Sequence, residues 1–202
     1  TELAARRALE MGRAVNLAGG SHHADDQGGA GFCVFNDVAV AARTLIDEGL
    51  VQKIAVIDLD VHHGDGTALI FADDPSVFTS SLHCEDNWPR QKPPSDLDLG
   101  LEKGIGDAAY LAATDKIVAD TLSLARPDLV FYNAGVDIHT DDRLGLLDVG
   151  DAGLKARDDL VVRACRHRAI PVVGVLGGGY SKDANAVARR HTYLVEAMQR
   201  FV

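Results

Sequence analysis

The sequence predicts an α/β fold of three α/β/α layers, in which helices cover both faces of a mainly parallel central sheet. Helical and extended stretches alternate along the chain. The extended stretches are continuously apolar, as expected of strands that are buried on both faces. The 202 residues suffice for one substantial core, and the sequence shows neither an internal repeat nor a linker. We therefore expect one domain over residues 1–202.

Helix caps, glycine stops and apolar periodicity set the element boundaries in the first half of the chain. Thr1 and Asn36 are placed to cap helices, and Gly12 and Gly49 are placed to end them. The predicted elements are a helix over 2–11, a strand over 14–17, a helix over 36–48, a strand over 53–60, a short helix over 67–71 and a strand over 76–80. The Pro- and Asp-rich stretch 86–100 predicts a loop.

The second half continues the alternation of helices and strands. Asp107 can cap a long helix that ends near residue 125, and Asp183 can begin the closing helix. The predicted elements are a helix over 107–125, a strand over 129–134, a helix over 151–167, a strand over 171–176 and a helix over 183–201. This order favours parallel strands joined by helical crossovers.

Composition and charge argue against several classes of partner. Thirty acidic and twenty basic residues give a net charge of −10, and the basic residues do not cluster, so nucleic acid and anionic membrane surfaces are poor candidates. Charges interrupt the apolar runs before they are long enough to cross a membrane. Cys33, Cys84 and Cys165 form no CxxC pair, which argues against a disulfide framework and favours the reducing cytoplasm.

Polar residues with catalytic potential follow each of the five predicted strands. Ligands of open α/β sheets bind beyond the carboxyl ends of the strands, so these residues are expected at one edge. They are His22, His23, Asp58, Asp60, His62, Asp65, Ser81, His83, Asp137 and Tyr180. No phosphate-binding glycine motif of the GxxxxGK[ST] or GxGxxG type opens a helix, so nucleotide binding has no support.

Asp60 and His62 form the core of a candidate metal site. They are two residues apart, so their side chains point to the same side of an extended segment, which Asp58 shares. With Asp137 as the distant third ligand, two carboxylates and one imidazole leave coordination positions for water and substrate, as in catalytic sites. An isolated Asp-x-Asp-x-His would as often simply end a strand, but the other strand ends favour the metal site.

The tandem His22 and His23 are candidates for general acid–base catalysis, because imidazole titrates near pH 6.5. A catalytic histidine usually needs a carboxylate on its far nitrogen. Asp58 and Asp65 are available, although spacing alone does not pair them with particular histidines. Tyr180 follows three glycines and could donate a hydrogen bond to a developing oxyanion, or could simply be packed.

Five segments stand in the order typical of one protein family. They are GGSHHADDQGGAGFCVFND (19–37), DLDVHHGDGT (58–67), SLH (81–83), NAGVDIHTDDRLG (133–145) and LGGGY (176–180). The sequence resembles the histone deacetylase branch of the arginase and deacetylase superfamily, and specifically bacterial members close to class IV. The resemblance implies an arginase/deacetylase-like fold whose N-terminal part, before Thr1, is absent, so that residues 1–202 would be the C-terminal portion of one catalytic domain.

The resemblance also implies a role for each site residue. Asp60, His62 and Asp137 would bind a metal, with Zn²⁺ the usual ion and Fe²⁺ a second candidate. His23 would be the general base, paired with Asp65, beside an electrostatic partner His22 paired with Asp58, and Tyr180 would be the oxyanion donor. A structural K⁺ would bind the Asp58 side chain, the Ser81 hydroxyl and the backbone carbonyls of Asp58, Asp60, His62 and Leu82. Gly31, Phe32 and Gly178 would line the acyl-lysine channel.

These observations lead to one main functional hypothesis and two alternatives. The main hypothesis is a metal-dependent amide hydrolase that removes acetyl or other acyl groups from acyl-lysine peptides or from acylated amines of the polyamine type. An arginase-like ureohydrolase would need the pattern DxHxD, but position 64 is Gly and the next carboxylate is Asp65. A non-catalytic acyl-lysine or polyamine binding module would be expected to have lost a ligand, a histidine or the tyrosine, and none is lost. The oligomeric state stays open.

Overall fold

A six-stranded parallel sheet with helices on both faces forms the fold in the computed structural model, which describes residues 1–201. The strands are β1 (Arg13–Val15), β2 (Ile54–Asp58), β3 (Val77–Cys84), β4 (Leu97–Leu101), β5 (Leu129–Asn133) and β6 (Val172–Val175). The helices are α1 (Glu2–Met11), α2 (Asp37–Asp47), α3 (Asp65–Phe71), α4 (Asp107–Ala125), α5 (Asp151–His167) and α6 (Ala184–Arg200). The strand order is β1-β6-β5-β2-β3-β4, and all neighbouring pairs are parallel. The predicted fold class is confirmed.

Alternating side chains of the central strands divide the core into two layers. Ile57 and Tyr132 belong to the layer formed with α4, α5 and α6, whereas Val56 and Phe131 belong to the layer formed with α1, α2 and α3. All four are buried, and complete burial of a Val, Ile or Phe side chain contributes about 1.5–3 kcal/mol. Burial on both faces explains why β2 and β5 are apolar at every position before their polar last residues, Asp58 and Asn133.

Most helix ends follow the signals in the sequence. Gly12 ends α1 with a φ of 81°, and the Asn36 side chain caps α2 by accepting a hydrogen bond from the Ala39 N–H at 2.9 Å. Thr1 is the N-cap residue of α1, as predicted, but its side chain makes no capping hydrogen bond and its hydroxyl donates to the Asp37 carboxylate. The predicted Asp107 cap is wrong, because Gly106 is the N-cap residue of α4, and Asp107 is its first residue and accepts from the Gly150 N–H. Within residues 1–201, no helix is long and apolar enough to span a membrane.

Two predictions at the β3–β4 edge of the sheet are corrected. The strand predicted over 76–80 extends to Cys84, so Ser81 and His83 lie within β3 and do not follow it. The stretch 86–100, predicted as a loop, contains the start of β4. As an edge strand, β4 alternates between more exposed and less exposed residues, and the search for continuous apolar runs therefore missed it.

The site is positioned by a reversal of strand order at the middle of the sheet. From β2 the chain proceeds outward to β3 and β4, and it then returns to β5 on the other side of β2. Asp58 at the end of β2 pairs with Asn133 at the end of β5. Such a switch point opens a crevice beyond the carboxyl ends of the two strands, where α/β proteins bind ligands.

Candidate active site

Asp60, His62 and Asp137 converge beyond the ends of β2 and β5, and all three are buried. Nδ1 of His62 lies 3.1 Å from Oδ1 of Asp60 and 3.1 Å from Oδ2 of Asp137. Backbone groups fix the other carboxylate oxygens: the Gly178 N–H donates to Asp60 at 2.7 Å, and the Val61 N–H donates to Asp137 at 2.9 Å. The structure thus brings the three predicted metal ligands together.

The electrostatics of this cluster fit a bound cation. Burial and the neighbouring Asp60 carboxylate raise the pKa of Asp137 to about 7. Burial lowers the pKa of His62, but its contacts with Asp137 and Asp60 outweigh burial and raise the pKa to about 10. The buried carboxylates of Asp60 and Asp137, whose ligand atoms lie within 4.8 Å of each other, repel each other unless protons or a cation compensate their charges. Two carboxylate oxygens and one imidazole nitrogen suit Zn²⁺ or Fe²⁺.

Each of the tandem histidines has its own carboxylate partner. Nδ1 of His22 lies 2.6 Å from Oδ2 of Asp58, and Nδ1 of His23 lies 2.6 Å from Oδ1 of Asp65. The other oxygen of Asp58 accepts a hydrogen bond from the Asn133 side-chain amide at 3.1 Å. These are the pairs that the family resemblance implies and that spacing alone left open.

The two imidazoles differ in their affinity for a proton. Burial opposes the charging of His22, but the negative charges of Asp58 and Asp60 outweigh it and raise the pKa of His22 to about 9. Burial and the positive charge of His22 lower the pKa of His23, against the opposing effect of Asp65. The ring centroids are 3.9 Å apart, so a charge on one ring disfavours a charge on the other. Near neutral pH, His22 is therefore charged, and neutral His23 keeps a lone pair on Nε2.

The loop that carries the two histidines is fixed by hydrogen bonds from both sides. The Asp37 carboxylate, at the start of α2, accepts from the backbone N–H groups of Gly20 at 3.0 Å and Ser21 at 2.9 Å. On the other side, the Thr67 N–H of α3 donates to the carbonyl of His22 at 3.0 Å. The histidines are thus held rigidly although they lie outside regular secondary structure.

A cavity of about 300 Å³ opens beside the histidines and the metal cluster. It is lined by His23, Gly31, Phe32, His62, Asn87, Trp88, Leu144 and Tyr180. Gly31 has a φ of +52°, and a Cβ there would lie 2.3 Å from the His23 ring, so only glycine fits. Gly31 and Phe32 thus lie where a channel was predicted. Gly178 contacts the metal-cluster carboxylates, and its role in a channel stays a prediction.

Three of the lining residues are absent from the sequence-based candidates. Trp88 packs edge-on against His23, with ring centroids 4.5 Å apart and an interplanar angle of 81°. Asn87 donates from its side-chain amide to the carbonyl of Leu144 at 2.8 Å and so joins two walls of the cavity. Trp88 is the one tryptophan of the chain, but nothing in the sequence indicates which site its loop approaches.

Tyr180 faces the same cavity from the glycine-rich segment after β6. Its ring centroid lies 6.2 Å from that of His62, and its backbone N–H donates to the Asp142 carboxylate at 2.5 Å. Burial and the negative charges of Asp60 and Asp137 keep the pKa of the phenol well above its usual value. The hydroxyl therefore stays protonated and can donate a hydrogen bond.

A buried arginine that was not among the candidates supports the loop carrying Asp137. The Arg157 guanidinium of α5 donates to the carbonyls of Gly135 at 2.5 Å and Ala134 at 3.3 Å. It is paired with Asp158 at 2.9 Å. These contacts hold the backbone just before Asp137, as the outer partners of metal sites often do.

The residues after His62 do not supply a second, bridging metal ligand. A Cβ at Gly64 would lie 2.5 Å from Oδ2 of Asp58, so a carboxylate side chain has no room at that position. The nearby Asp65 carboxylate is engaged with His23. This arrangement disfavours the two-metal ureohydrolase alternative.

Two of the groups predicted to bind K⁺ lie side by side. Asp58 and Ser81 are register partners in β2 and β3, and a cavity of about 10 Å³ borders both. This volume suffices for one small ion or one water molecule. The binding of K⁺, with the carbonyls of Asp58, Asp60, His62 and Leu82 as further ligands, stays a prediction.

Comparison with known sequences gives a consistent family match. The sequence model described as "Histone deacetylase domain" matches residues 1–198. The chain is 52% identical over 197 residues to an uncharacterized protein of Picosynechococcus sp., with 98% of this chain and 66% of that protein covered. It is 34% identical over 190 residues to histone deacetylase 2 of Arabidopsis thaliana, with 93% of this chain and 49% of that protein covered.

Solved structures show the same architecture. An acetylpolyamine aminohydrolase from Burkholderia pseudomallei matches with a TM-score of 0.81 at 23% identity over 99% of this chain and 60% of that one, a likeness of fold. The HDA15 HD domain matches with a TM-score of 0.82 at 26% identity over 100% of this chain and 60% of that one. The chain thus spans between 49% and 66% of these four proteins. Fold, site geometry and sequence match together show that the chain belongs to the histone deacetylase family.

Proposed function

We propose that this chain carries the catalytic centre of a metal-dependent amide hydrolase that removes acetyl or other acyl groups from acyl-lysine or from acylated amines. The observation that carries the proposal is the position of a buried metal-ligand cluster beside two histidines, each of which has its own carboxylate partner. Family membership supports deacetylase chemistry. The free lone pair on Nε2 of neutral His23 supplies the base that such chemistry needs.

Asp60, His62 and Asp137 would hold the catalytic ion, for which we propose Zn²⁺, with Fe²⁺ as the second candidate. When bound, such an ion polarises the amide carbonyl and lowers the pKa of a water molecule. Asp58 and Ser81 would hold the structural K⁺. The three free cysteines favour a reducing compartment, for which we propose the cytoplasm.

His23 carries out the proton transfers of the proposed reaction, and the neighbouring side chains assist it. Neutral His23 takes a proton from the attacking water on Nε2, while Asp65 holds the tautomer and stabilises the imidazolium that forms. The same imidazolium then protonates the leaving amine. His22, held charged by Asp58, keeps the pKa of His23 low, and the Tyr180 hydroxyl donates to the negative charge developing on the carbonyl oxygen.

The cavity is suited to the alkyl chain of an acylated amine. Phe32, Trp88 and Leu144 give it apolar walls, and its volume of about 300 Å³ matches that of small-ligand sites. Both an acyl-lysine side chain and an acylated polyamine present an aliphatic chain of this kind. The net charge of −10 also favours cationic substrates, so we propose both classes.

The test is hydrolysis of a fluorogenic acetyl-lysine peptide and of an N-acetylated polyamine by the zinc-loaded chain, with a chelator control and a His23→Ala control. We expect turnover that both controls abolish. A zinc-loaded chain that binds the acetyl-lysine peptide without cleaving it would favour the non-catalytic binding module. A chain that retains no metal would contradict the Asp60, His62 and Asp137 site.

A further inference from the structure

A second cluster of potential metal ligands lies at the β3–β4 edge of the sheet. It consists of His63, His83 and Asp98, each with one ligand atom within 4.8 Å of the others. His63 and His83 are 0% and 2% exposed, whereas the Asp98 side chain is 31% exposed. None of the three residues lines the 300 Å³ cavity, and the proposed hydrolysis uses none of them.

The strand register brings the side chains of His83 and Asp98 to one face of the sheet. Ser81 pairs with Asp98 in the parallel ladder, and His83 follows Ser81 by two residues, so the side chains of Ser81, His83 and Asp98 point to the same face. Gly100 stands opposite His83, and a Cβ there would lie 2.1 Å from Oε2 of Glu85. The missing side chain at position 100 therefore makes room for the Glu85 carboxylate beside His83.

Two of the distances between donor atoms are close to those around a tetrahedral ion. Nε2 of His63 lies 3.2 Å from Oδ1 of Asp98, and Nε2 of His83 lies 3.5 Å from Oε2 of Glu85. Metal–ligand bonds of about 2.0–2.2 Å put neighbouring donors of a tetrahedral Zn²⁺ roughly 3.3 Å apart.

Hydrogen bonds from neighbouring residues orient the side chains of His83 and Asp98. Nδ1 of His83 lies 3.0 Å from the Ser81 hydroxyl, and a hydrogen bond donated there leaves the lone pair of His83 on Nε2. The Ser95 N–H donates to Oδ2 of Asp98 at 2.8 Å, which leaves Oδ1 directed at His63. Metal-ligating histidines and carboxylates are typically held by such second hydrogen bonds.

We propose that His63, His83 and Asp98 form a second divalent-metal site, beside which the exposed Glu85 lies 3.5 Å from His83. Two imidazoles and one carboxylate select borderline ions such as Zn²⁺ or Co²⁺ over Mg²⁺ and Ca²⁺. An ion bound there joins the segment after β2 to β3 and β4, so its role is to stabilise the sheet edge. The inference does not depend on the proposed hydrolysis.

The experiment is a Co²⁺ titration of the chelator-treated chain, with the bound metal counted by elemental analysis after gel filtration. Asp98→Asn and His83→Gln each remove one ligand of this site, and Asp60→Asn removes a ligand of the proposed catalytic site. Asp115→Asn, at an exposed position of α4, is the matched control. We expect the parent and Asp115→Asn to bind two Co²⁺ ions, each of the other single variants to bind one, and Asp60→Asn/Asp98→Asn to bind none.

The variants separate this proposal from that of the catalytic metal. If the parent binds one ion and Asp98→Asn also binds one, the second site is overturned. It is also overturned if both Asp98→Asn and His83→Gln still bind two ions. A parent that binds no Co²⁺ would overturn both sites. One ion that Asp98→Asn loses and Asp60→Asn retains would support the second site and contradict the catalytic one. Asp98→Asn preserves the shape of a partly exposed side chain, and far-UV circular dichroism checks that each variant is folded.

Discussion

Replacement of Gly178 by alanine tests the packing around the proposed catalytic metal. A Cβ at this position would lie 2.1 Å from Oδ2 of Asp137 and 2.9 Å from Oδ2 of Asp60. The φ of Gly178 lies outside the left-handed region, so alanine adds no backbone strain and the cost falls on the two carboxylates. Since a Cβ essentially never comes closer than 3.0 Å to another heavy atom, the Asp137 carboxylate must move by roughly 1 Å.

A movement of this size breaks a metal–oxygen bond of about 2.0–2.2 Å. We expect Gly178→Ala to weaken Zn²⁺ binding by about 100-fold or more, which corresponds to about 2.7 kcal/mol. The assay is competition for Zn²⁺ between the chelator-treated chain and a chromophoric chelator, in an Asp98→Asn background so that one site is measured. Gly28→Ala is the control, because its Cβ would meet nothing within 4 Å. A folded Gly178→Ala variant with the control's affinity would refute the reasoning.

Three further predictions concern the tyrosine and the two histidines. Tyr180→Phe should lower kcat on the acetyl-lysine peptide by about 100- to 1,000-fold with unchanged zinc affinity, because it removes one oxyanion donor, and a parental kcat would exclude that role. Because the pKa of His23 is lowered and the neutral form is the base, kcat/KM should fall on acidification with a midpoint below pH 6.5. A midpoint above pH 6.5 would contradict this assignment. In the chelator-treated chain, the raised pKa of His22 means that the folded state is stabilised by protonation of His22; this contribution is complete below pH 6.5 and is lost as the pH rises through about 9. The free energy of unfolding in urea should therefore fall by roughly 3 kcal/mol more over that range in the parent than in His22→Gln. An equal pH dependence of the two proteins would contradict this role of His22.

The central part of the fold was predictable because its strands are buried on both faces. The apolar runs that form β2 and β5 could be identified as strands without knowing which strands lie beside them. Each run ends in a polar residue at the edge of the sheet where the site lies. The edge strand β4 was not predictable in this way, because one of its faces meets solvent and its sequence alternates. Pro93 and Pro94, which precede Leu97 by four and three residues, also favoured a loop.

The chemistry of the site was easier to predict than its walls. Asp60, His62 and Asp137 could be assigned from residue type and strand-end position, since metal coordination needs few kinds of side chain. Trp88 could not be assigned, because its approach to His23 depends on how a long loop folds over the sheet. His83 was noticed as a polar residue after a strand, but its partner Asp98 lies on the strand that the sequence analysis missed.

The hydrogen bonds that fix Asp60 and Asp137 join parts of the chain that are far apart in sequence. Val61 and Asp137 are 76 residues apart, and Gly178 and Asp60 are 118 residues apart. The ligand geometry therefore cannot exist until β2, β5 and β6 have assembled, and closing such long loops makes this a late event in folding. Metal capture in a refolding experiment would thus report completion of the sheet, whereas helix formation would be visible earlier.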